Sequence, residues 1–158
     1  ILPEHIRLKR IELLSNKLVL VTPKEMRLPS KMEPRMLSEM PLIFREKGSA
    51  TRTMMERFVS RHKIMVQRKI ELSSNEAVKQ AVIAGMGVSI MPLIGLKNEL
   101  QLKQVKVVPV RGLPLKTNWN LVWLKDKKLT PLAAGLIDHV QEHRGSITKK
   151  HFGWVEES

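Results

Sequence analysis

Between Pro41 and Pro92, short apolar runs alternate with amphipathic stretches, and this alternation constrains the fold more than any other feature of the chain. Pro41–Arg45 (PLIFR) reads as a strand. Residues 51–62 place Met54, Met55, Phe58 and Val59 on one helical face, and Arg68–Leu72 (RKIEL) reads as a second strand. Ser73 and Glu76 then have the spacing of a capping box, in which each side chain satisfies a free backbone N–H of the other residue. The helix they open carries Val78, Ala81 and Val82 on its buried face and stops at Gly85. Gly87–Met91 (GVSIM) is a third strand, closed by Pro92. Parallel strands need crossover connections, and helices at this spacing supply them. The expected class is α/β, with largely parallel sheets and helices on their faces.

The flanking segments are shorter signals. Lys17–Val21 (KLVLV) reads as a buried strand stopped by Thr22-Pro23, and residues 24–39 as a loop with one turn of helix, interrupted by Pro29 and Pro34. A weaker helix is expected over 93–100, with strands over 105–110 and 119–124. Thr130-Pro131 is a strong helix start, a cap followed by proline at the first helical position. Leu132, Leu136, Ile137 and Val140 share that helix's expected buried face, Gly145 is its expected end, and 146–158 reads as an aperiodic tail.

Composition narrows the function. A chain of 158 residues suits one domain or two small lobes. It has no apolar run of about 18 residues, so no membrane partner is expected. It lacks the basic, apolar and small-residue pattern of an export leader. Without cysteine there are no disulfides, thiolate nucleophiles or sulfur-ligated metals, and a cytoplasmic location fits. The net charge of +13 is spread along the chain rather than gathered in an arm, and only 4% of residues are aromatic, so charge alone does not make a base-stacking nucleic-acid surface. The same charge suits either a solvated surface or attraction of an anion. Because the chain opens on Ile1, it is expected to be a piece of a longer protein.

The segment Arg45-Glu46-Lys47-Gly48-Ser49-Ala50-Thr51-Arg52 lies between an expected strand and an expected helix. A helix start presents unpaired N–H groups and a positive dipole end, and in open α/β sheets ligands sit beyond the carboxyl ends of strands. Gly48 allows close backbone approach, Ser49 and Thr51 offer hydroxyls, and Arg45 or Arg52 a charge-assisted bond. The competing reading is that Ser49 caps its own helix. The segment lacks the GxxxxGK[ST] spacing of a P-loop. A second constellation pairs Ser73-Ser74-Asn75 with the Gly85-Met86-Gly87-Val88 exit, where a tight helix-to-strand turn is the competing account. His139 and His143 are four residues apart, but no motif supplies a third metal ligand, and basic residues in a last helical turn favour the dipole anyway. With no GxSxG elbow, no cysteine and only Asp126 and Asp138 as aspartates, no catalytic set, metal or cofactor is expected.

Three stretches, in order and in spacing, resemble the effector domains of LysR-type transcriptional regulators. They are PLIFREKGSATRTMMERFV (residues 41–59), IELSSNEAVKQAVIAGMGVSIMP (70–92) and LVWLKDKKLTPLAAGLIDHV (121–140). The wording SSNEAVKQAV-AGMG is especially similar to regulators of the Calvin-cycle operon. The resemblance covers residue 1 to about residue 143. It implies a two-lobed fold like type 2 periplasmic binding proteins, with residues 19–121 as the effector-binding lobe, 1–18 and 122–145 as part of the other lobe, and 146–158 as a tail. It implies an effector held in the interlobe cleft, with Gly48, Ser49, Ala50, Thr51 and the turn Met86, Gly87, Val88 as one wall and Arg45 and Arg52 as neighbours. It also implies a homodimer or homotetramer that binds DNA through a winged helix-turn-helix lying outside this chain, responding to a small anionic metabolite. Two other functions share the scaffold, a solute-binding protein of transport and a two-lobed enzyme. A signal peptide would mark the first and turnover the second.

Overall fold

The computed structural model describes residues 7–29 and 32–157. Residues 1–6 of the expected first-lobe segment, 30–31 of the loop and 158 of the tail lie outside the described residues. The chain divides into two compact units, residues 17–116 and residues 1–16 with 117–158. The divisions fall at 16/17 and 116/117, a few residues before the expected 18/19 and 121/122, and both lie within long strands.

The 17–116 unit receives the second half of β1 (Leu8–Pro23), followed by β2 (Pro41–Arg45), α1 (Ala50–Arg61) and β3 (Arg68–Leu72). It continues with α2 (Asn75–Ile83), β4 (Ser89–Pro92), α3 (Lys97–Gln101) and β5 (Val105–Val108). β2 and β3 pair in parallel from Pro41↔Arg68 to Arg45↔Leu72, and a parallel bridge between Leu42 and Val88 sets β4 on the other side of β2. β1 pairs antiparallel with both β4 and β5. Thus β2, β3, β4 and β5 run one way and β1 alone runs against them. The expected parallel arrangement therefore holds for four strands and fails for the one that enters from the other unit. Every residue of β1 from Leu18 to Pro23 is buried, which explains the unbroken apolar run KLVLV: a strand covered on both faces has no solvent side to alternate toward.

Alternation along β2 directs the packing. Leu42 and Phe44 join a buried cluster with Leu20, Met55 and Phe58, while Ile43 is equally buried but lies outside that cluster. Burying each such side chain contributes about 1.5–3 kcal/mol, so this layer dominates the unit's stability. On α2 the buried residues are Val78, Ala81 and Val82, the expected face. Its start differs from expectation by one position. Ser74, not Ser73, is the cap, and its hydroxyl accepts the Ala77 N–H at 3.0 Å. Glu76 reaches forward to Lys79 and Gln80 rather than back to a cap amide. The helix ends as its glycine requires. Gly85 adopts φ +77°, its N–H donates to Val82 O and the Met86 N–H to Ala81 O, each at 3.0 Å, a Schellman closure.

Elsewhere in this unit the expected loop 24–39 contains a 3-10 turn at Pro34–Glu39. The expected helix over 93–100 becomes a 3-10 turn, Leu93–Gly95, followed by the short α3. β5 ends at Val108, and Val110 makes only an isolated bridge to Met32.

The other unit contains the first half of β1, most of β6 (Leu115–Leu124), α4 (Pro131–Phe152) and α5 (Trp154–Glu157). The Lys125 N–H donates to Arg7 O at 2.9 Å and Thr117 Oγ1 to Asn16 O at 3.4 Å, so β1 and β6 pair antiparallel. Thr130 caps α4 as expected, accepting the Ala133 N–H at 3.2 Å. Two expectations for this helix fail. It does not stop at Gly145 but runs to Phe152, so residues 146–152 are helical rather than tail. Side chains on both sides of Gly145 tie the helix to β1: Arg144 donates to Glu12 O at 2.9 Å and Thr148 to Leu13 O at 3.2 Å. Those ties offset the roughly 1 kcal/mol that an interior glycine costs. Nor is its apolar stripe buried: Leu132 is 85% and Leu136 56% exposed. A helix buries a stripe only against another layer, and among the described residues this unit has only the β1–β6 pair and the short α5 to offer. No helix among the described residues is long and apolar enough to cross a membrane.

Candidate ligand site at the carboxyl end of the parallel strands

β2 ends at Arg45, and the chain turns through Glu46, Lys47 and Gly48 into the first turn of α1. Gly48 has φ +92°, a backbone region that residues with a Cβ rarely enter, so the turn itself requires glycine whatever binds there. Ser49 is the N-cap residue, with extended backbone at φ −68° and ψ 132°, but its hydroxyl makes no capping bond. Its N–H donates to Glu46 O at 3.3 Å, and its carbonyl accepts from the Thr53 N–H at 3.0 Å and hydroxyl at 3.2 Å. The reading in which Ser49 serves only its own helix is therefore not what the side chain does. The first-turn amides of an α-helix have no intrahelical acceptor and carry the positive end of the dipole. Here they meet a half-buried Ser49, an exposed Ala50 and a half-buried Thr51. Backbone donors, two hydroxyls and no acidic residue in the first turn make this helix start suited to an anion.

Arg52 has a different place from the one expected of a ligand contact. It is 4% exposed, its Nε donates to Glu56 Oε1 at 2.7 Å, and its Nη1 donates to Arg45 O at 2.8 Å and to Glu71 Oε2. Its guanidinium also lies 5.7 Å from the centre of the Phe44 ring. The hydrogen bond to Glu71 is the chief reason its proton is held more tightly than usual, against the opposing effect of burial. The same bond holds the Glu71 carboxyl below the ordinary range. Arg52 thus joins both ends of the loop and the neighbouring strand β3, with its Nε and Nη1 donors already engaged.

Arg45 is likewise engaged, though less deeply. Its Nε and Nη2 donate to the two Glu46 carboxylate oxygens at 2.7 and 2.8 Å, and Nη1 donates to Asn75 Oδ1. Asn75 is the first residue of α2, so Arg45 stands where the carboxyl end of β2 meets the start of a second helix. Hydrogen bonds from Arg45 are the main reason the Glu46 carboxyl is lowered. Sequence reasoning included Asn75 in its second constellation without a partner, and it gave Glu46 no role. Their alignment depends on pairing β2 with β3 in register, which no local pattern displays.

The turn Met86, Gly87, Val88 does not join this group. The Val88 N–H donates to Pro41 O and the Ile43 N–H to Val88 O, each at 2.9 Å, so the turn packs against the first residues of β2. Arg45 is the last residue of that strand, about 13 Å further on at roughly 3.3 Å per residue. Gly87 is a glycine for a reason internal to this corner: a Cβ there would lie 2.4 Å from Pro41 O. The two expected halves of the wall occupy opposite ends of the strand, because α2 starts near Arg45 and carries the chain back along the sheet. The tight-turn account suits Met86–Val88, which lies apart from the group at the carboxyl end of β2. Among the described residues no group of histidines and carboxylates is placed to hold a metal, and His139 and His143 stack at 4.3 Å on α4.

Comparison with known proteins shows the family. The chain is 36% identical over 128 residues to the HTH-type transcriptional regulator CbbR of Rhodospirillum rubrum, covering 81% of this chain and 43% of that protein. It is 31% identical over 140 residues to a RuBisCO operon transcriptional regulator of Acidithiobacillus ferrooxidans, covering 87% of this chain and 45% of that one. It therefore spans less than half the length of these relatives. Among solved structures, the regulatory domain of Synechocystis PCC6803 CcmR in complex with 2-PG superposes with a TM-score of 0.82 at 30% identity, over 90% of this chain and 69% of that one. The family model for the LysR substrate binding domain matches residues 2–145. With nearly the whole chain matched, and its relatives named as transcriptional regulators rather than enzymes, this protein belongs to the LysR substrate binding domain family.

Proposed function

We propose that this chain is the effector-sensing domain of a LysR-type regulator, and that the start of α1 holds a small anionic metabolite through the amides and hydroxyls of Gly48–Thr51. The observation that carries the reading is the capping serine whose hydroxyl makes no capping bond, set over first-turn amides at the carboxyl end of parallel strands. The solved relative named above, bound to 2-PG, supports the ligand class. Arg52 and Glu71 brace the loop, and Arg45 supplies a guanidinium at the carboxyl end of β2. The mechanism is differential affinity: a ligand that binds one arrangement of the domain better than another shifts their populations, and with them the DNA binding of the oligomer. The DNA contact, the homodimer or homotetramer and the cytoplasmic setting belong to the whole regulator in this proposal.

Isothermal calorimetry with 2-PG tests the site. Ser49→Ala and Thr51→Val each weaken binding by about ten- to a hundredfold, the loss of one hydrogen bond of about 1.5–3 kcal/mol to a charged group, with thermal unfolding unchanged. Unchanged affinity in both variants removes the helix start from the site.

A further inference from the structure

We propose that Glu46 is a built-in competitor for the ligand: its carboxylate covers the two-donor edge of the Arg45 guanidinium, and an anionic ligand binds fully only by displacing it. The inference rests on the effector-site reading above and names the regulation of that same site.

The geometry distinguishes Glu46 from the other carboxylates nearby. A guanidinium offers a planar edge of parallel N–H donors that matches two oxygens of a carboxylate or phosphate. On Arg45 that edge, Nε with Nη2, is filled by Glu46 at 2.7 and 2.8 Å, while Nη1 is fixed to Asn75. The Arg45 side chain is the more buried partner, at 17% exposure against 38% for Glu46. The guanidinium is thus anchored to α2 and its occupant is not. Glu46 follows Arg45 directly, so its carboxylate can turn away into water by side-chain rotation without moving the strand. The Glu46 side of the pair is open to water, which screens the interaction, so releasing it opposes ligand binding only modestly. The pair around Arg52 lacks this property, since three acceptors on three segments hold that guanidinium, one of them the Arg45 carbonyl.

The arrangement acts as a filter. The Glu46 carboxyl is held below its usual range by Arg45, so at neutral pH it is ionised and competes continuously. A ligand presenting two anionic oxygens reproduces the bidentate contact and offsets the loss of Glu46. A neutral ligand cannot, and it meets a guanidinium whose Nε–Nη2 edge is already neutralised. Glu46 therefore lowers affinity for every ligand of Arg45 in proportion to the time the pair is closed. With the pair closed about nine-tenths of the time, the factor is about ten.

Calorimetry with 2-PG and with inorganic phosphate, on wild type, Glu46→Gln, Arg45→Met and the double variant, tests this. Glu46→Gln is expected to tighten 2-PG about tenfold, and Arg45→Met to weaken it. In the Arg45→Met background the Glu46 substitution is expected to change nothing. Glu46→Ser serves as a second removal of the carboxylate, and melting curves check that each variant folds. Affinity in Glu46→Gln equal to or weaker than wild type overturns the proposal. So does a tightening that persists undiminished without Arg45, which would report net charge alone. If those results appear while Ser49→Ala still weakens 2-PG, only the competitor role falls. If neither wild type nor Glu46→Gln binds either probe, the site reading falls with it.

Discussion

Replacing Arg52 with methionine isolates the buried cation that joins the 46–49 loop to the sheet. Methionine keeps an unbranched apolar stem and removes every donor together with the guanidinium over Phe44. Two of the lost contacts are weak. Glu56 and Glu71 have side chains 49% and 45% exposed, so water replaces the guanidinium there, and each pair is worth about 0.5 kcal/mol after screening. The third is stronger, because the Arg45 carbonyl loses a charged donor at 2.8 Å at the point where β2 leaves the sheet. A hydrogen bond to a charged group contributes about 1.5–3 kcal/mol. The sum is a destabilisation of about 2.5–4 kcal/mol. Urea unfolding followed by circular dichroism measures it as a lower midpoint at unchanged slope. Arg52→Lys is expected to lie between, since a single ammonium cannot span three acceptors on separate segments. A methionine variant within about 0.5 kcal/mol of wild type would show that the loop ends hold together without this residue, and the bracing role would be wrong.

Two further outcomes follow from the same coordinates. Gly87→Ala places a Cβ 2.4 Å from the Pro41 carbonyl, a backbone atom that cannot rotate aside, and is expected to cost about 1–3 kcal/mol. Gly95→Ala, with open space around it, should stay within about 0.5 kcal/mol, and equal costs for the two would contradict the close approach. Glu71 and Glu46 have folded-state pKa values depressed below 4.5 by Arg52 and Arg45, so their contribution is present above that value and lost as pH falls through the folded pKa. Melting temperatures should therefore drop as pH is lowered below about 4.5, and Glu71→Gln should flatten that dependence; an equally steep fall in the variant argues against it.

The sequence alone determined the elements whose cause is local. β2 and β3 occupy the residues read from PLIFR and RKIEL, and α2 buries Val78, Ala81 and Val82, because alternation and helical period are written in neighbouring side chains. Gly85 ends α2 for the same reason: its positive φ is a property of one residue. The helix start at Gly48–Thr51 was legible too, since a strand, a glycine turn and a helix follow one another in the chain.

Tertiary structure decided what depends on pairing across distance. Arg52 became a brace rather than a contact because Glu71, nineteen residues away, lies beside it once β3 pairs with β2. Met86–Val88 lies away from Gly48–Thr51 because α2 carries the chain back to the first residues of β2. α4 passed through Gly145 because β1 offers carbonyls to Arg144 and Thr148, while Leu132 and Leu136 of its apolar stripe stayed exposed. A side chain's local preference is set by its neighbours in sequence, but its partners are set by register, and register exists only after the strands have met.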